Sequence, residues 1–373
     1  MRRFLILCVV VLMLPAAAVS EQADAQVQIS NTTEGLRGVS AVSRQIAWAS
    51  GTHGTYLRTT DGGRTWVPAQ VPDAGALDFR AVAAFSADEA FLMSAGPGEQ
   101  SRIYHTGDGG KHWELQLTNT NPKGFFDSMV FWDATHGIVL GDPIPDESGK
   151  LKFEILMTDD GQNWHVIPSG RLPDAMAGEG AFAASNTCLA IVSGGSEQNI
   201  WFGTGGKVAR VFHSSDHGLT WEVFDTPMLH GPDSAGIFSI AFRNAMHGVI
   251  AGGDYKHPND DGPNLAFTDD GGKTWTLSAL RPLAYFSAVA YDRKINEQAL
   301  REAEVEKEMR VKGVAPQRLF IVGQDFVFDF RPPHNPRRIS GKKRLGIQFN
   351  AVSVYPEGGA LVVGPKGAVA FIP

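Results

Sequence analysis

Five times the chain returns to one acidic, glycine-rich octet that ends in tryptophan. The copies are TTDGGRTW (59–66), TGDGGKHW (106–113), MTDDGQNW (157–164), SSDHGLTW (214–221) and TDDGGKTW (268–275). Aligned on the aspartate they give Asp61, Asp108, Asp159, Asp216 and Asp270, 47 to 57 residues apart. Two residues on stand Gly63, Gly110, Gly161, Gly218 and Gly272; five on stand Trp66, Trp113, Trp164, Trp221 and Trp275. A fixed period of this length is the mark of a repeat architecture.

Closing a hairpin accounts for every residue of the octet. A short acidic side chain accepts hydrogen bonds from the backbone N–H groups of its own turn. Glycine supplies the positive φ such turns need, and the tryptophan opens the next strand with a large ring to bury. Five dispersed copies suit a turn far better than a catalytic or metal-binding aspartate.

A second, shorter pattern precedes each unit: RGVSAV (37–42), RAVAAF (80–85), DSMVFW (127–132), GAFAAS (180–185), FSIAFR (238–243), SAVAYD (287–292) and NAVSVY (350–355). Small residues alternating with apolar ones fit strands crowded at the inner rim of a radial array. The unit reads as four strands with the octet between the third and fourth. The expected fold is therefore all-β, a seven-bladed β-propeller of four-stranded blades. The last blade is closed by the N-terminal strand QVQIS (26–30), which removes an exposed edge.

The ends and composition bound the rest. Arg2 and Arg3 precede an apolar run from Phe4 to Leu14, with small residues after it. This reads as a signal peptide over 1–25, cleaved near 18–25, too short to span a bilayer. The expected product is exported, periplasmic or secreted, with residues 26–373 as one propeller and no transmembrane segment after cleavage. Cys188 alone would survive cleavage, so no disulfide or cysteine metal site is expected. A net charge of −7 argues against nucleic-acid partners. No cofactor is expected either: GTGG (203–206) lacks dinucleotide-binding spacing.

The octets resemble those of the Asp-box (BNR-type) β-propellers, whose box reads Ser/Thr-x-Asp-x-Gly-x-Thr-Trp. GVSAVSRQIAWASGTHGTYLRTTDGGRTW and the closing ALVVGPKGAVAFI are similar to bacterial exported proteins of the photosystem II stability/assembly-factor type. That resemblance implies a binding or assembly module. It also carries a frequent family label of oxidoreductase, for which no residues speak. His112 and Asn163 replace the box threonine, and Met157 the leading hydroxyl residue. The sixth unit departs most, with a charged helix-like insert at 293–313 and a basic stretch in place of its octet.

Strand order puts the octets on one face and the starts of the inner strands at the opposite mouth. Ligand-binding candidates there are Arg37, His53, Arg80, Tyr255 and His257, with Asn350 also at a strand start. The alternative function is a glycoside hydrolase, which needs two carboxylates about 5 to 9 Å apart; its candidates are Asp127, Asp142, Glu179 and Asp254. A docking surface is the third reading, through Arg331, Arg337, Arg338, Lys342, Lys343 and Arg344. The expected partner is protein or glycan, and binding is preferred over catalysis.

Overall fold

The computed structural model describes residues 25–194, 197–279, 284–292, 318–323, 327–330, 337–338 and 347–373. The leader, the 293–313 insert and most of the basic stretch (Arg331, Lys342, Lys343, Arg344) lie outside them. Arg337 and Arg338 form a short strand, paired with Phe328 and Asp329.

Consecutive antiparallel sheets make up the chain. The first holds Leu36–Ala41, Ala47–Gly51, Thr55–Thr59 and Val67–Gln70, in that spatial order. Later sheets begin on Phe79–Ala84, Phe126–Phe131, Leu189–Gly194, Ala235–Phe242, Phe286–Tyr291 and Ala351–Val354. Each of these inner strands packs against the next, and Leu36–Ala41 packs against Ala351–Val354, so the array closes on itself. Apolar layers fill the gaps between neighbouring sheets. Trp48, Tyr56, Phe79, Val82 and Leu92 join the first to the second, for instance, while Leu57, Trp66, Leu361 and Val363 join the last to the first.

The uniform array of seven four-stranded blades expected from the sequence is not what forms. Among the described residues six sheets have four strands, but the one built on Ala235–Phe242 has six. Its extra strands are Glu179–Gly180 and Gly205–Gly206, which pair with each other and then with Gly236. The inner-strand pattern also misleads once. GAFAAS is not a strand beyond Gly180, and the inner strand of its sheet is Leu189–Gly194. Residues 181–184 instead line a cavity described below.

The strand Gln26–Gln28 pairs antiparallel with Val369–Ile372, Gln26 opposite Phe371, and completes the sheet of Ala351–Val354 and Ala360–Val363. Gln28 clamps this strand to the first sheet: Trp66 Nε1 donates to its Oε1 (2.9 Å), and its Nε2 donates to Gly62 O (3.3 Å).

The octets fold as turns, each pinned by two side chains. Thr59 Oγ1 donates to Asp61 Oδ1 (2.9 Å) and accepts from Gly63 N (3.0 Å), while Asp61 Oδ1 accepts from Thr65 N (2.9 Å). The same pattern links Thr106 with Asp108, Ser214 with Asp216, and Thr268 with Asp270. Backbone N–H donation from His112 comes first in holding the Asp108 carboxyl down to about 2. The third turn is set one residue later than the alignment places it. Thr158 is its hydroxyl and Asp160 its acid, accepting from Gln162 N and Asn163 N, whereas Asp159 Oδ2 lies 4.0 Å from His165 Nε2. Its hydroxyl-to-glycine step is three residues instead of four, so the alignment from Gly161 and Trp164 lands on the wrong aspartate.

Candidate functional site at the axial mouth

Register places the octets and the inner-strand starts at opposite ends of each sheet. In the first sheet Leu36 pairs with Gly51 at one end, while Ala41, Ala47 and Thr59 align at the other. At the Leu36 end the register slips, and Arg37 is the residue left over between Leu36 and Gly38. The same slip recurs at Arg80, Asp127, Phe238 and Ser287. A bulge of this kind turns one side chain out of the pleat. All five bulged residues line a single cavity of about 510 Å³, together with Asn350. Ahead of each stands a buried apolar anchor: Leu36, Phe79, Phe126, Ile237 or Phe286.

The cavity has three chemically different walls. Arg37 and Arg80 make the cationic one. Arg80 is held by Asp78 Oδ2 (Nε donating, 2.9 Å) and Ala183 O (Nη1 donating, 2.8 Å). Among the described residues no hydrogen bond or ion pair holds the Arg37 guanidinium. Burial, and then the neighbouring charge of Arg80, lower its pKa.

Asp127 and Asp142 form the acidic wall. Asp127 is 1 % exposed, and its Oδ2 has no hydrogen-bond partner among the described residues. Burial and then the Asp142 charge push its pKa well up, against a smaller opposing pull from Arg80. Asp142 Oδ1 accepts from Ala181 N (3.0 Å), and burial raises its pKa as well.

The aromatic wall stacks Phe182 on Phe238, centroids 3.9 Å apart and planes 12° apart. Tyr285 meets Phe238 edge-on at 4.9 Å, and Tyr255 does so at 6.1 Å. Phe182 can lie there because Gly205 and Gly236 stand beneath it: a Cβ at either would come within 2.3 and 2.9 Å of its ring.

Of the candidates read from the sequence, the structure gathers Arg37, Arg80, Asp127, Asp142, Tyr255 and Asn350 at this mouth. Others are spent elsewhere. Glu179 is buried in an ion pair with Arg210. Asp254 accepts from Lys256 N and lies 2.8 Å from His257 Nδ1, an exposed ring. His53 is likewise exposed and paired with Glu34, which raises its pKa. No octet aspartate lines the cavity. Asp127 and Asp142 stand side by side on one sheet, where Phe126 pairs with Gly141, rather than facing each other across the mouth. Sequence reasoning missed Phe182, Phe238, Tyr285 and Ser287. The repeated pair of a bulky apolar residue followed by the mouth-facing one was the available signal for Phe238 and Ser287. Among the described residues, no group of three or more His, Cys, Asp or Glu is placed to hold a metal, and no helix is long and apolar enough to cross a membrane.

A closed ring of radial sheets with a ligand-sized cavity on its axis defines a β-propeller. No protein-family model matches the sequence, and no curated protein matches it. Solved structures match in fold. One described as YCF48 bound to D1 peptide gives a TM-score of 0.59 at 18% identity, covering 96% of this chain and 99% of that one. YCF48 from Cyanidioschyzon merolae gives 0.58 at 17% identity, over 94% and 99%. The WD40 β-propeller domain of Doa1 gives 0.58 at 11% identity, over 93% and 96%.

Proposed function

We propose that this propeller is a binding and assembly-type module that holds a segment of a partner protein at its axial mouth. The observation that carries the reading is the set of five bulges, each turning a side chain from a different sheet into one cavity. Convergent polar groups among aromatic walls are the usual make-up of a ligand site. Support comes from a similar propeller whose structure is described as bound to a D1 peptide. The octets belong to this reading as Asp-box turns, scaffold on the face away from the ligand.

The test is photo-crosslinking from a reactive residue placed at Ser287, with a control at Lys111 in an octet turn. The expected result is one contiguous segment of one protein captured at Ser287 and not at Lys111. Equal capture at both positions overturns the proposal. Export belongs to the same reading and rests on the leader-like run from Phe4 to Leu14. N-terminal sequencing of the mature protein tests it: an intact Met1 refutes cleavage.

A further inference from the structure

The mouth contains two polar groups that the fold leaves unspent. Arg37 has been brought into a half-buried position beside a second arginine, with no carboxylate bonded to it among the described residues. Asp127 has been buried with one oxygen, Oδ2, facing no partner. Both arrangements cost stability: burial and the Arg80 charge disfavour the Arg37 cation, against smaller opposing pulls from Asp78 and Tyr285, and a buried polar atom without a partner forfeits its hydrogen bond. Both residues sit at register slips of their inner strands.

The character of these groups decides what would satisfy them. Arg37 can only donate. Asp127 faces Arg80 and Asp142 and lies near Cys188, and the net result of burial and these neighbours favours its neutral, protonated form. A protonated carboxyl also donates. Arg37 and a protonated Asp127 are therefore donors on this side of the mouth, next to the Asp142 carboxyl, whose Oδ1 is taken by Ala181 N. The opposite wall, from Phe182, Phe238 and Tyr285, offers flat apolar surface.

We infer that the mouth is a carboxylate-binding subsite, with Arg37 and Asp127 Oδ2 bonding the ligand's carboxylate and the Phe182–Phe238 stack receiving its apolar body. This rests on the mouth being the binding site and narrows what it selects. On a partner protein the group would be an acidic side chain beside an apolar one; a small free aryl or alkyl acid shares the chemistry.

The experiment is titration calorimetry on the full chain. The probes are 3-phenylpropanoate, its neutral amide, phenethylammonium, and two capped peptides, acetyl-Phe-Glu-amide and acetyl-Phe-Gln-amide. The carboxylates should bind at least about tenfold tighter than their amides, as charge-assisted pairing to arginine requires. Arg37→Gln should abolish that preference. Carboxylate affinity in the native chain should weaken as pH rises through the titration of Asp127. Asp127→Asn keeps a donor and should bind the carboxylate without that pH dependence.

Equal binding of acid and amide, or tighter binding of the ammonium, overturns the inference, as does a preference that survives in Arg37→Gln. Preference for phenylpropanoate alone would assign the subsite to free acids; preference for the Glu peptide would assign it to a protein segment. The two proposals fail separately. Crosslinking of one partner segment without carboxylate preference sinks only the subsite, and carboxylate preference without a captured segment sinks only the protein-binding role.

Discussion

Replacing Glu179 by Gln separates scaffold from chemistry at a residue the sequence nominated for catalysis. The Glu179 side chain is fully buried, and that of Arg210 is 7 % exposed. Glu179 accepts from Arg210 Nε (3.0 Å) and Nη2 (2.5 Å), from Thr204 Oγ1 (2.7 Å) and from Met176 N (2.8 Å). Gln removes the counter-charge and leaves a guanidinium buried without compensation, which costs about 3 to 5 kcal/mol. The lower end applies, because Arg210 Nη2 keeps its bond to Asp174 O. With a urea m-value of about 3 kcal/mol/M, a loss of about 3 kcal/mol lowers the unfolding midpoint by about 1 M. Replacing the pair together, as Glu179→Leu with Arg210→Met, should recover most of that loss, since apolar isosteres avoid desolvating two charges. Equilibrium urea unfolding followed by tryptophan fluorescence reads both effects. A midpoint for Glu179→Gln within about 0.2 M of the native chain would refute the argument, since it corresponds to well under 1 kcal/mol.

Other outcomes follow from the turns and the mouth. Asp160→Asn should lower the melting temperature while Asp159→Asn leaves it unchanged, because only Asp160 ties the third turn; the reverse order in a thermal melt would restore the aligned register. Gly205→Ala should displace Phe182 and cost about 1 to 3 kcal/mol by overpacking, with fluorescence-detected urea unfolding as the measure. Asp127 has its folded pKa raised above the unfolded value of about 4. Its contribution to stability is therefore complete below pH of about 4 and lost as pH climbs through the raised value. Asp127→Asn should thus gain on the native chain as pH rises from about 4, and parallel midpoint-versus-pH curves would contradict this. Asp108 runs the other way: its contribution is lost as pH falls from about 4 toward about 2, and an NMR titration of its carboxyl carbon checks the shift.

Much of the scaffold was legible because its constraints are local. A turn that needs positive φ at Gly63 and a carboxylate at Asp61 announces itself within eight residues. The mouth was partly legible for the same reason, since Arg37, Arg80 and Asp127 begin strands whose period is plain in the sequence. What escaped notice depends on partners distant in the chain. GAFAAS has the composition of an inner strand, yet Phe182 is claimed by a ring 56 positions away, and Glu179 and Gly180 by Gly206 and Gly205. Nothing near Glu179 marks it as the mate of Arg210. In the third turn the spacing to Gly161 and Trp164 selects Asp159, and only the placement of the Thr158 hydroxyl shows that Asp160 does the work.

The clasp of Gln26–Gln28 against Val369–Ile372 has a consequence for how this protein is made. One half of the latch is the first of the described strands and the other is the last, so the pairing must wait until all the strands between them have been made. Until then the growing polypeptide is an arc with raw flanks, open to self-association. A chain cut short before Val369 lacks the latch, and the strand Gln26–Gln28 is then left without its partner.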